Sequence, residues 1–194
     1  MSIVIPPGFG QCTVSFRSST GTQPFVNTFG VSIDTVEEPQ TLANLVMGAW
    51  AAHFIPEQAD AIAMTGVSIA IGQDGGDPVV GESNLAESEG DRSGAIPPLA
   101  MAPIIRKQTA LGGRTGRGRM FLVGALTETE VDGNGQVDST RRAALITAAG
   151  DFRTALATAD LPMVLLHSSG AIDPTPVTSL GLSNLVGWIR GRIY

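Results

Sequence analysis

Glycine and arginine alternate through Leu111-Gly112-Gly113-Arg114-Thr115-Gly116-Arg117-Gly118-Arg119. Guanidinium groups spaced by glycine sit on a backbone that can approach a partner closely, as recognition of carboxylate or phosphate requires. Three outcomes fit Arg114, Arg117 and Arg119: pairing with acids of a neighbouring subunit, contact with phosphate or nucleic acid, or a solvated hairpin tip. A nucleotide-binding P-loop is excluded, because no lysine followed by Ser or Thr stands at the required spacing. Aromatic residues make up 5% of the chain, too few to favour a platform on which single-stranded bases stack. Arg190-Gly191-Arg192 near the end of the chain is a second basic tip, and Arg190 and Arg192 join the candidates for partner or anion contact.

Other reactive residue types do not assemble into a recognisable pattern. Asp132-Gly133-Asn134-Gly135-Gln136-Val137-Asp138 alternates oxygen-bearing side chains like a calcium loop, but Val137 stands where that loop needs glycine and Ala143 where it needs glutamate. A turn leading into the next helix accounts for it more simply. His53 and His167 are the two histidines, and Ser168, Ser169 and Asp173 lie near the second. A hydrolase triad needs its nucleophile on a strained elbow, and no G-x-S-x-G stands here. Glu37, Glu38, Glu87, Glu89, Glu128 and Glu130 fall in caps and loops rather than as a carboxyl pair framed by apolar residues. Cys12 is the single cysteine, which precludes an intrachain disulfide, and its place in an apparent strand reads as a small buried hydrophobe. The expectation is a protein that is not an enzyme, with no catalytic residues, no metal and no cofactor.

The charge is unevenly distributed. Residues 1–93 carry −9 and residues 94–194 carry +3, within a net charge of −6. Acidic and basic parts of one chain can face each other across a head-to-tail contact, although the same charges could simply cover solvated faces. Eleven of the twelve basic residues are arginine, the side chain better suited to bidentate interface pairs. No apolar run reaches the roughly 20 residues needed to cross a bilayer, and Met1-Ser2-Ile3-Val4-Ile5-Pro6-Pro7 lacks the pattern of a secretion signal. A soluble protein made in the cytoplasm, with no membrane partner, is therefore expected.

These candidate residues need elements to hold them. Gln11 to Phe16 alternates polar and apolar residues, and Ser18 to Thr22 offers turn chemistry before Phe25 to Val31, so a hairpin is predicted. Thr35 with Glu38 three positions on makes a capping box, which predicts a helix starting near Thr35 with Pro39 in its first turn. Leu42, Leu45, Val46, Trp50 and Phe54 form its apolar stripe. Ala61 to Ile71 reads as a strand, and Gly72 to Pro98 as a long exposed excursion.

Leu99 to Thr109 resumes an extended pattern whose prolines predict an edge or a bulge, and Met120 to Val123 leaves the glycine-arginine loop as a strand. A second helix is predicted from Asp138 or Ser139, burying Leu145, Ala148, Phe152 and Leu156 and ending at Leu161-Pro162, before a buried strand from Met163 to Leu166. Residues 173–194 form a strand or arm that completes the home sheet or adds to a neighbour's edge.

The same order thus occurs twice. The expected fold is a single α+β domain over 1–194, mainly antiparallel sheet with two packed helices, in two ββαβ halves at about 9–72 and 99–168 joined by a loop at 73–98. A β-sandwich or jelly roll with inserted helices is the alternative.

In the stretch from Pro97-Pro98-Leu99 through Arg119-Met120-Phe121-Leu122, and again in Asp173-Pro174-Thr175-Pro176-Val177-Thr178-Ser179, the chain resembles uncharacterised structural proteins of bacteriophage and other viral particles. The resemblance implies a virion subunit of a capsid shell, a decoration or a tail, localised to the particle after synthesis in the host cytoplasm. Its implied partners are further copies of itself and other virion proteins. The split charge, the edge strand that the prolines predict and the protruding loops suit such an oligomer. A genome-packaging N-terminal arm is disfavoured, since the first sixteen residues contain no Lys or Arg.

Overall fold

The computed structural model describes residues 4–18, 25–34, 37–83, 88–94, 96–101, 104–107, 116–120, 124–130, 137–166 and 171–178. Strands β1 (Phe9–Ser18) and β2 (Phe25–Ser32) form the expected antiparallel hairpin, with Cys12 opposite Phe29 and Val14 opposite Asn27. β3 (Ile62–Ile71) pairs with the other side of β1, and a bulge beside Ser15 and Phe16 leaves Thr65 without an opposite residue. β10 (Met163–Leu166) lies beside β2 and is buried throughout, as its unbroken apolar run requires. The fold is α+β, with an antiparallel seven-stranded sheet and two helices.

Helix α1 spans Pro39–His53 and α2 spans Ser139–Thr158. The start predicted near Thr35 is corrected by four residues. The ring of Pro39 disfavours helical geometry in the residue before it, so Glu38 is extended at ψ 135° and acts as N-cap without a side-chain bond. Thr35 itself lies outside the described residues. Leu42, Val46, Trp50 and Phe54 are buried as predicted, but Leu45 is exposed. Successive residues turn by about 100°, so Leu42, Val46 and Trp50 climb one face of the helix while Leu45 falls about 100° from its centre, at the margin where the helix meets water.

The excursion predicted at 73–98 is partly strand. β4 (Val79–Ser83) and β5 (Ser88–Glu89) both pair with β3, one after the other along its outer side. Gly81 permits this. A Cβ there would stand 2.1 Å from the carbonyl carbon and oxygen of Pro39, so only glycine lets β4 slide beneath the start of α1. Ser83 Oγ then donates to Asn44 Oδ1 at 2.6 Å.

The second half has a hairpin, a helix and a strand in the same sequence as the first, but with a further strand before the hairpin and another after it, and with different pairing. β7 (Ile104–Lys107) and β8 (Gly116–Met120) form an antiparallel hairpin, followed by α2 and β10. That hairpin pairs within itself rather than in the seven-stranded sheet, and β6 (Ile96–Met101) with β9 (Gly124–Leu126) makes another separate ladder. β8 nevertheless runs close to β2 and β10. The strand expected after residue 176 lies mostly outside the described residues; the observed β11 (Ile172–Pro176) joins β10 at one edge of the home sheet.

One face of the sheet carries both helices. Phe16 and Phe29 rise from it to meet Trp50, Phe54 and Phe152, with Trp50 and Phe54 centred 4.4 Å apart and Phe152 edge-on to Trp50 at 5.3 Å. All five are essentially inaccessible to water. Each such ring buries on the order of 150–250 Å², so this cluster is the main apolar contribution that locks α1 to α2 and both to the sheet.

Candidate functional site

Two charged features of the structure invite a functional reading: a partly buried cluster of four ionised side chains, and a contrast between the edges of the sheet and the separate β7–β8 hairpin. Four elements converge to build the first. Glu57 closes a 3-10 turn, Ile55–Glu57, just beyond α1. Arg92 follows β5 and is brought alongside by backbone bonds from Arg92 N–H to the Gln58 carbonyl at 3.0 Å and from Asp60 N–H to the Arg92 carbonyl at 3.1 Å. Gly90 makes that approach possible, since a Cβ there would lie 2.3 Å from the carbonyl oxygens of Gln58 and Ala59. Glu130 ends a second 3-10 turn, and Arg141 lies in the first turn of α2.

Charges alternate around this ring. Arg92 Nη2 donates to Glu130 Oε1 at 2.6 Å and Nη1 lies 4.0 Å from Glu57 Oε2. Arg141 Nη1 donates to Glu57 Oε2, and its Nε is 3.7 Å from Glu130 Oε1. Arg141 is also 8% exposed, so its charge needs these partners. Burial acts to raise the Glu130 pKa, but the hydrogen bonds from Arg92 and from Thr127 N–H, with the charges of Arg92 and Arg141, outweigh it and hold the carboxyl below its ordinary range. Thr127 N–H reaches Glu130 Oε2 at 2.8 Å.

Two arginines and two glutamates cancel. The ring therefore offers no net charge to a ligand, and its chemistry is that of a staple joining the end of α1, the strand after β5, the turn before α2 and α2 itself. Asp138, in the segment weighed as a calcium loop, has a different task. Its carboxylate caps α2 by accepting from the N–H groups of Thr140 and Arg141 at 2.9 Å each. Among the described residues no cluster of His, Cys, Asp and Glu is grouped to hold a metal ion.

The residues singled out from sequence are placed unevenly. Arg117 and Arg119 are in β8, so the second half of the expected glycine-arginine loop is strand: glycine and arginine alternate there with the period of two that a strand uses, a pattern the turn reading of glycine had overridden. Register sets Arg117 directly across from Arg106, and Gly116 across from Lys107. Arg114, Arg190, Arg192 and His167 lie outside the described residues. His53 is the last residue of α1. Cys12 is fully buried in β1, and burial pushes its thiol pKa up, which keeps it protonated and unreactive.

The edges of the sheet differ in what they offer. β11 is blunted as an edge because it is short of donors: Pro174 and Pro176 have no N–H, and that of Thr175 is taken by the carboxylate of Asp173 at 3.0 Å. β4 forms the opposite edge and, among the described residues, meets no further strand on its outer side. Val80 there is 56% exposed, on the face turned away from α1. Asp74, Asp77, Glu82, Glu89 and Asp91 are all exposed along this side of the molecule. Sequence reading found neither the ionic ring nor this asymmetry, because the ring joins residues up to 84 positions apart and strand order has no local signature. No family model, curated protein or solved structure matches the chain.

Proposed function

We propose that the protein is a structural subunit of a viral particle, a component of a capsid shell, decoration or tail, that assembles with copies of itself through a strand edge and arginine-acid contacts. The observation that carries the reading is the β4 edge, which meets no further strand among the described residues, opposite a β11 edge that two prolines deprive of donors. Exposed strand edges are templates for pairing with another chain and are normally blunted; here one is blunted, and the other carries an exposed Val80 and meets no further strand among the described residues. The resemblance to virion structural proteins points the same way. The interior ring of ion pairs also suits a subunit that must keep its shape while its surfaces are loaded, since its charges are spent on internal stapling.

Light scattering coupled to size-exclusion chromatography, over a range of concentration and salt, tests self-association. Multimers at low salt, seen as regular shells, tubes or rings by negative-stain electron microscopy, are the expected result. A strict monomer at high concentration in every buffer would overturn the reading.

A further inference from the structure

Resting on the assembly reading above, we infer that the contact is heterologous: the acidic β4–β5 edge of one copy docks against the basic β7–β8 hairpin of the next. Three observations converge on a second copy of this chain as the occupant. The first is composition. From Ala95 to Leu126 the chain carries five basic residues and no acid, and β7 and β8 hold four of the five. The second is register. Arg106 stands opposite Arg117 and Lys107 opposite Gly116, so the ladder places three basic residues at adjacent positions of one hairpin.

The third is the complementary edge. Asp74, Asp77, Glu82, Glu89 and Asp91 are exposed on β4, on β5 and on the turns next to them; among the described residues β4 meets no strand on its outer flank and none of the five acids has an ion-pair partner. Glu82, in the middle of that edge, also decides between symmetries. Two β4 strands pairing about a two-fold axis would bring acids of both copies together, whereas a basic strand neutralises them. The charge on the edge thus rejects self-pairing of β4 and admits the cationic hairpin, so the contact runs head to tail.

A nucleic-acid partner is less well matched to the same hairpin. The net charge of −6 repels a polyanion, and Phe16, Phe29, Trp50, Phe54 and Phe152 are consumed by the core, which removes half of the chain's aromatic rings from any role in stacking on bases.

The test is a charge swap. One variant carries Glu82→Lys with Glu89→Lys, and the other Arg117→Glu with Arg119→Glu. Each alone should associate about tenfold more weakly than the native chain or worse. Mixed in equal amounts they should recover association, because each junction then again joins opposite charges. The milder pair, Glu82→Gln with Glu89→Gln and Arg117→Gln with Arg119→Gln, guards against misfolding and should weaken association while flattening its salt dependence, with circular dichroism unchanged.

Native-like association by both single-side variants, or no recovery on mixing of folded variants, would overturn this pairing while leaving self-assembly standing. A native chain that is monomeric throughout would remove both. Binding of a single-stranded oligonucleotide by the native chain that is lost in the Arg117→Glu, Arg119→Glu variant, with self-association intact, would also overturn it and assign the hairpin to nucleic acid.

Discussion

Arg92 and Glu130, 38 residues apart in the chain, meet at 2.6 Å and close a ring of alternating charge with Glu57 and Arg141. Each member is held in place by a different element, so the ring converts four independent chain segments into one rigid corner. Removing one member leaves a partly buried opposite charge without compensation, which costs more than the pair contributes. Glu130→Leu is therefore expected to lower unfolding free energy by about 2–3 kcal/mol, and Arg92→Leu by a similar amount. The double variant should lose clearly less than the sum, as measured by urea denaturation of all four members of the cycle.

Acid should act through the same carboxylate. Glu130 has its folded-state pKa lowered from 4.5, so its stabilisation is fully present above that value and is lost as pH falls through the folded-state pKa. Thermal melts from pH 7 to pH 3 should show the native chain losing stability in that window. Glu130→Gln should begin less stable at pH 7 and show a shallower acid slope, the two curves drawing together at low pH. Parallel curves across the whole range would contradict the assignment.

Gly81 predicts a steric effect that is read twice. The Cβ of Gly81→Ala would meet Pro39 backbone at 2.1 Å, and neither β4 nor the first turn of α1 can give way without losing its own contacts. We expect a loss of about 2–3 kcal/mol and, because β4 is displaced, weaker self-association at concentrations where the native chain forms multimers. Gly48, whose Cβ would meet open space, is the control. As an exposed helical glycine, Gly48→Ala should gain up to about 1 kcal/mol.

The end of α2 is improvable. Asp160 has φ 56° and occupies the left-handed position after the helix, with Leu161 N–H bonded to the Leu156 carbonyl at 2.9 Å and Asp160 N–H to the Ala157 carbonyl at 3.2 Å. This is a Schellman closure, normally finished by glycine. Asp160→Gly relieves the positive φ and removes a negative charge from the helix C-terminus, so it should raise stability by about 0.5–1 kcal/mol. Asp160→Val should lower it, since a β-branched side chain tolerates that conformation least. Denaturant midpoints give the sign directly.

Local pattern carried the elements well. β1, β2, β3, α2 and β10 follow from alternation, helical spacing and turn residues, and each is governed by neighbours within a few positions. The start of α1 was misplaced because the capping box and Pro39 compete, and the steric demand of the proline prevails at Glu38. β4 was hidden because its burial depends on sliding under α1, a tertiary circumstance that Val79-Val80-Gly81 cannot announce. A second hairpin around the glycine-arginine segment was legible, but not that β7 and β8 stand apart from the seven-stranded sheet, nor that β6 pairs with β9, since strand partnership is decided by the whole sheet. For the site, Arg117 and Arg119 were visible as residues but not as strand positions opposite a further arginine. Glu57, Arg92 and Arg141 left no linear trace, because an ionic ring assembled from turns has no characteristic spacing.

The strand order has a bearing on how the chain acquires its shape during synthesis. The four neighbours β2-β1-β3-β4 and the helix above them all come from the first 83 residues, so they can condense while translation is still under way. Until Phe152 is delivered, however, Trp50 and Phe54 stay uncapped, and until Met163 arrives the flank of β2 stays unzipped. A ribosome paused midway would thus hold a half-finished sheet with sticky aromatic rings on top, the species most in need of a chaperone.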